Sequence, residues 1–135
     1  MERQERREQI LNILAAGIRK VLLNTVPKPE ELQEIRMRLG QPLRVVRGKE
    51  EIVLRSGTEP YIVTKEELRE TMDYISHYSL YAYENELRQG FVTVEGGHRV
   101  GVAGKVIMEK ERVKNIQYIS SLNIRVSHEV LGCAD

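Results

Sequence analysis

The sequence is short of several residue types, and each shortage removes a class of protein. Of 135 residues, one is cysteine (Cys133), none is tryptophan and one is phenylalanine (Phe91). A lone thiol makes no internal disulfide and has no cysteine partner for a zinc site, which points to a reducing compartment. No apolar run approaches the roughly 18 residues that a membrane-spanning helix needs. The opening Met1-Glu2-Arg3-Gln4-Glu5-Arg6-Arg7-Glu8 is too polar and too acidic for a signal or transit peptide. A soluble, cytoplasmic domain is therefore expected. Excess charge of one sign is missing too: 21 basic residues against 20 acidic ones leave +1. No global field draws the chain to DNA, RNA or an anionic membrane, so any anion site must be local.

What remains is the composition of a globular domain, 41% apolar and 30% charged. A chain of this length can bury one core, with room for a small helical appendage rather than a second full domain. From Arg6 to Asn24 the residues Ile10, Leu14, Ile18, Val21 and Leu22 recur at helical spacing, with Gly17 as the candidate break. Val26-Pro27-Lys28-Pro29 stops that stripe, because proline removes a donor and pushes the preceding residue out of helical geometry. The expected organisation is a helical segment over 1–28 and an α+β domain over 29–135.

In the second part, Ile35, Met37 and Leu39 alternate with Arg36 and Arg38, the period of a strand with one buried face. Leu43 to Val46 and Glu51 to Leu54 read as further strands of an antiparallel meander, and Gly57 as the end of that run. Thr64 and Glu67 have capping-box spacing, and Val63 and Leu68 are placed as a hydrophobic staple, so a helix starts there. Its stripe slips near His77-Tyr78-Ser79 and resumes to Gly90, which supplies the stop. Strands follow over Phe91 to Glu95, Arg99 to Met108, Gln117 to Ile119 and Leu122 to Ser127, with a solvated turn at Glu109-Lys110-Glu111-Arg112.

Placing Val92, Val94, Val100 and Val102 on one face requires an odd hairpin loop, Glu95-Gly96-Gly97. That parity sends Thr93, Arg99, Gly101 and Ala103 to the opposite face. On the last strand Leu122, Ile124 and Val126 point inward, which turns Asn123, Arg125 and Ser127 outward.

Candidate chemistry is sparse. Gly101-Val102-Ala103-Gly104-Lys105-Val106 imitates a phosphate loop, but Arg99 stands at the first glycine position and Val106 at the hydroxyl position, and no strand-to-helix turn is signalled. Gly101 to Gly104 also matches the GxxG clamp of RNA-binding KH domains, yet that clamp joins helices and this segment reads as a strand. A nucleic-acid module built on the sheet is one alternative reading; a purely structural oligomerisation domain is another. His77, His98 and His128 are isolated, so no metal site is expected. Tyr74, Tyr78, Tyr81 and Tyr83 at helical spacing read as core and rim. The pair Arg36 and Arg38 reads as the solvated half of its strand. Arg99 and Arg125 stand out, because arginine's planar fork suits phosphate oxygens.

Four segments taken together carry a resemblance: Glu34 to Leu43, Gly96 to Lys105, Ile119 to Val126, and Gly132-Cys133-Ala134-Asp135. In this order they resemble the stage III sporulation protein AA family of endospore-forming Firmicutes, which is similar to the AAA-type ATPases of type II secretion and type IV pili. The resemblance implies an N-terminal, PAS-like antiparallel sheet with flanking helices, followed in the family by a motor domain that lies beyond Asp135. No complete catalytic site and no cofactor are expected within this chain; ATP and magnesium belong to the intact protein. By the same resemblance, Arg99 and Arg125 match arginines that reach nucleotide phosphates held by the motor domain. The implied partners are that motor domain, neighbouring subunits of a homohexameric ring, and the membrane channel proteins of a sporulation complex linking mother cell and forespore, with no direct nucleic acid. The implied location is the mother-cell cytoplasm, at the membrane through those partners.

Overall fold

Among the described residues, three helices lie against one face of an antiparallel sheet. The computed structural model describes residues 2–77, 89–109 and 112–128. The N-terminal stripe forms α1 (Glu2–Asn12) and α2 (Ala16–Thr25). The break falls just before Gly17, and each helix end is completed from elsewhere. The Arg19 guanidinium donates to the carbonyls of Leu11 (3.0 Å) and Leu14 (2.9 Å), closing the C-terminus of α1. The Ala15 amide donates to the Thr71 hydroxyl (2.9 Å) and the Ala16 amide to Glu70 Oε2 (3.0 Å), so a distant helix caps α2. Gly17 itself sits inside α2 where a Cβ would come within 2.7 Å of the Tyr61 hydroxyl, so its role is close packing.

A 3₁₀ turn at Pro29–Glu31 leads into β1 (Glu34–Arg38), then β2 (Arg44–Arg47) and β3 (Glu50–Val53), the expected meander. Gly57 does not end that run. It occupies a left-handed turn position (φ 68°) between two short strands, β4 (Arg55–Ser56) and β5 (Glu59–Pro60), which pair as a separate small hairpin. Helix α3 (Lys65–His77) begins with the expected capping box, the Thr64 amide donating to Glu67 Oε1 (2.9 Å) and the Glu67 amide to the Thr64 hydroxyl (3.2 Å). Val63 and Leu68 are both buried, as a staple requires. The expected helical continuation through Tyr78, Tyr81, Tyr83 and Leu87 lies outside the described residues.

Strands β6 (Phe91–Thr93) and β7 (Arg99–Glu109) pair with Val92 opposite Val100. The Val94 amide bonds to the His98 carbonyl, which leaves Glu95, Gly96 and Gly97 as the odd loop that parity demanded. Strand β8 (Arg112–Arg125) runs unbroken where two short strands were expected. Its Ser120 is the extra residue at a bulge between the Ala103–Ser121 and Gly104–Ile119 pairs, so the strand changes phase without stopping.

The sheet order is β3-β2-β1-β8-β7-β6, which places the last strand beside the first at the centre. All its pairings are antiparallel. One core runs through helices and sheet, from Ile10, Leu14, Ile18 and Leu22 through Ile35, Met37 and Val45 to Leu68, Ile75, Val100, Leu122 and Ile124. The expected α+β class is the observed one. Among the described residues no helix is long and apolar enough to cross a membrane.

Candidate functional site

With the helices on one side, the other face of the sheet is left open among the described residues, and strand alternation decides what it displays. Thr93, Arg99 and Arg125 and then Glu34 form one transverse row, because Thr93 pairs with Arg99, Arg99 with Arg125, and Glu34 with Arg125. Phe91, Gly101, Asn123, Arg36 and Arg44 form the next row, and Ala103, Ser121 and Arg38 a third. Rows lie roughly 6.5–7 Å apart and strands roughly 4.8 Å apart. Five arginines thus share the open face of a chain whose formal net charge is only +1.

Arg99 and Arg125 are direct cross-strand partners and both are exposed. Like charges placed opposite one another weaken a sheet, so this pair needs compensation. Part of it is local. The Arg99 guanidinium lies 4.7 Å from the centroid of the Phe91 ring, a cation–π contact that also fixes its direction. Arg125 has the Glu34 carboxylate as its neighbour on β1. Burial works to raise the Glu34 carboxyl, but the Asn123 amide, the Arg36 guanidinium and the Arg125 charge hold it below the ordinary range. Glu34 is therefore a fixed anion shared by Arg125 and Arg36, the latter at 3.4 Å.

Beside this row runs a groove of about 470 Å³. Gly101, Ala103, Ser121 and Asn123 line its floor, and Arg36 and Arg38 stand at its β1 side. Gly101 is not small for reasons of packing, since a Cβ there would make ordinary contacts of 3.8–3.9 Å with Asn123. Its missing side chain keeps the groove open. Gly104 is different: a Cβ would overlap the Tyr118 carbonyl oxygen, so this glycine serves the close approach of β7 and β8 at the bulge. Both glycines lie inside β7, so neither a phosphate loop nor an RNA clamp between helices is formed by Gly101 to Val106.

Nearly the whole chain, this face included, falls within the match to a known family. A family model described as "Sporulation stage III, protein AA" matches residues 4–135. The chain belongs to the stage III sporulation protein AA family. It is 35% identical over 129 residues to the stage III sporulation protein AA of Bacillus subtilis (strain 168). That alignment covers 94% of this chain and 40% of the relative, so the chain spans about two fifths of the length of the curated protein it matches.

Within this family member His98, His128 and Tyr74 are held by internal hydrogen bonds. His98 is buried, with Nδ1 accepting from the Ser127 amide (2.9 Å) and Nε2 facing Gln9 Oε1 (3.0 Å). An acceptor at Nδ1 requires the proton on Nε2, which then donates to Gln9. Burial, reinforced by the charges of Arg6 and His128, lowers its pKa to about 4, so it is neutral near pH 7. His128 Nε2 donates to the Leu32 carbonyl (2.7 Å), and the Tyr74 hydroxyl donates to Glu70 Oε2 (3.1 Å). No group of three or more His, Cys, Asp or Glu residues able to hold a metal ion occurs among the described residues. Cys133 lies outside them. Two contributors escaped the sequence reading, Arg44 and Glu34. Alternation along β1 puts Glu34 on the face of Arg36 and Arg38, whereas Arg44 joins them only through the register between β1 and β2, which sets it opposite Arg36.

Proposed function

We propose that this chain is the regulatory and coupling domain of an ATP-driven sporulation machine, and that Arg99 and Arg125 are its contacts with nucleotide phosphates. The observation that carries this reading is the direct pairing of these two arginines on an open sheet face. Two exposed guanidiniums held side by side offer parallel N–H forks to a polyanion. Their mutual repulsion makes the site better with an anion present than without one. Phe91 holds Arg99 in place, so less ordering is left to be paid on binding.

Membership of the family supports the sporulation role, and the relative's greater length supports a larger whole of which this is one part. In this reading the PAS-like sheet is joined to a motor domain that binds ATP and magnesium, six subunits form a ring in the mother-cell cytoplasm, and the ring energises a secretion-like channel to the forespore. Magnesium neutralises phosphate oxygens in the motor domain. The residues of this chain bring positive charge to the transferring phosphoryl group from outside and thereby link nucleotide state to domain position. The test is ATP hydrolysis by the intact protein carrying Arg99→Ala or Arg125→Ala. Arginines of this kind contribute about 10³-fold or more to turnover, so a loss of that order is expected. Thermal unfolding should move little, because both side chains are exposed. Wild-type turnover in both variants removes the proposal.

A further inference from the structure

We propose that the open face carries a second anion site, a phosphate-binding pocket between β1 and β2 that is separate from the Arg99–Arg125 pair. The pocket, about 240 Å³, is lined by Arg36, Arg38, Gln41, Pro42, Arg44 and Glu51. Its charges do not cancel. Arg36 is taken by Glu34 and Glu51. Among the described residues no carboxylate lies within ion-pair distance of Arg38 or Arg44. The Arg44 Nε–H is withdrawn from solvent and has no acceptor. With no water-accessible surface, that Nε–H cannot meet an anion in the open pocket; what Arg44 presents there is the terminal nitrogens of its guanidinium, which have no carboxylate partner among the described residues. Arg36 and Arg44 also stand directly opposite one another, and the Glu34 and Glu51 carboxylates on Arg36 offset their repulsion.

The ligand class follows from the donors. Two guanidiniums without carboxylate partners, on adjacent strands and one row apart, need an anion with at least three terminal oxygens to be satisfied together. A phosphomonoester or diphosphate meets that requirement; a carboxylate fills one fork and leaves the other empty. The Gln41 amide, on the turn after β1, offers a further donor at the rim. A free phosphate compound and a phosphomonoester lipid headgroup share this chemistry, and they are separated by the choice of probe.

The chain is titrated with inorganic pyrophosphate by calorimetry, and sedimented in parallel with vesicles containing phosphatidic acid. Binding to at least one probe is expected. Measured in the Arg99→Ala, Arg125→Ala background, so that the first pair contributes nothing, Arg38→Ala and Arg44→Ala should each weaken it about tenfold or more, as loss of a charge-assisted fork does, while Arg69→Ala on the exposed side of α3 should leave it unchanged. Arg44→Lys should restore only part, since a point charge replaces the fork. Pyrophosphate binding assigns the site to soluble phosphates, and vesicle binding alone assigns it to a headgroup. Arg38 is exposed, so its variant remains informative if Arg44→Ala is unstable. Binding of neither probe, or unchanged binding in Arg38→Ala, or an equal loss in Arg69→Ala overturns the proposal. The first two results leave the Arg99–Arg125 reading untouched.

Discussion

His98 ties the N-terminal helix to the hairpin and the last strand, because its ring bridges Gln9 and the Ser127 amide. The imidazole takes a proton near 6.5 in the unfolded chain and only near 4 in the fold. Between those values the unfolded state binds more protons, so stability falls as pH falls through this window and levels off below it. The loss should reach up to about 3 kcal/mol. Glu34, with its carboxyl held below the usual range, adds a loss of the same sign only at lower pH. Urea unfolding at pH 7 and pH 5 checks this. His98→Leu, which cannot titrate, should be less stable at pH 7 and show a flatter dependence; equal slopes in both proteins would contradict the assignment. Gly96 guards the same spot. Its φ of 93° is left-handed, and a Cβ would overlap Gln9 Oε1 and come within 2.8 Å of His98 Nε2. Gly96→Ala should therefore cost about 1–3 kcal/mol in the same unfolding measurement.

Among the secondary-structure elements, what could be read from sequence was whatever local spacing decides. The capping box at Thr64 and Glu67, the alternation in β1 and the odd loop at Glu95 to Gly97 depend on neighbours a few residues apart. The start of α2 was less accessible, since its cap, Thr71, is 56 residues away from Ala15. Gly17 was a reasonable breaker by propensity, yet the carbonyls freed at the break are satisfied by Arg19, a tertiary choice that fixes the boundary. The bulge at Ser120 likewise depends on the register with β7, which no feature within β8 reveals. The candidate site divides the same way. The outward placement of Arg99 and Arg125 followed from parity, whereas their direct opposition required the pairing of β7 with β8. These distinctions make a prediction about α2. Thr71→Val keeps the shape but strands the buried Ala15 amide and should cost about 1–3 kcal/mol. Thr71→Ser, which keeps the hydroxyl, should cost clearly less. Comparable losses would mean that packing rather than the hydrogen bond holds the helix start.

For the molecule as a whole, the decisive property is asymmetry. The helices and the core occupy one face of the sheet, and the other presents arginines in register around a groove kept open by Gly101. Charge that is nearly balanced over the chain is thereby concentrated where a polyanion can meet it. If Arg99 and Arg125 grip one phosphate group, removing either should break the same interaction, and their effects will not add. The direct measurement is a double-mutant cycle on ATP turnover by the intact protein, comparing wild type, Arg99→Ala, Arg125→Ala and the double variant. The account predicts that the double variant is scarcely slower than the worse single one. Effects that multiply independently, or single variants that turn over like the wild type, would contradict it.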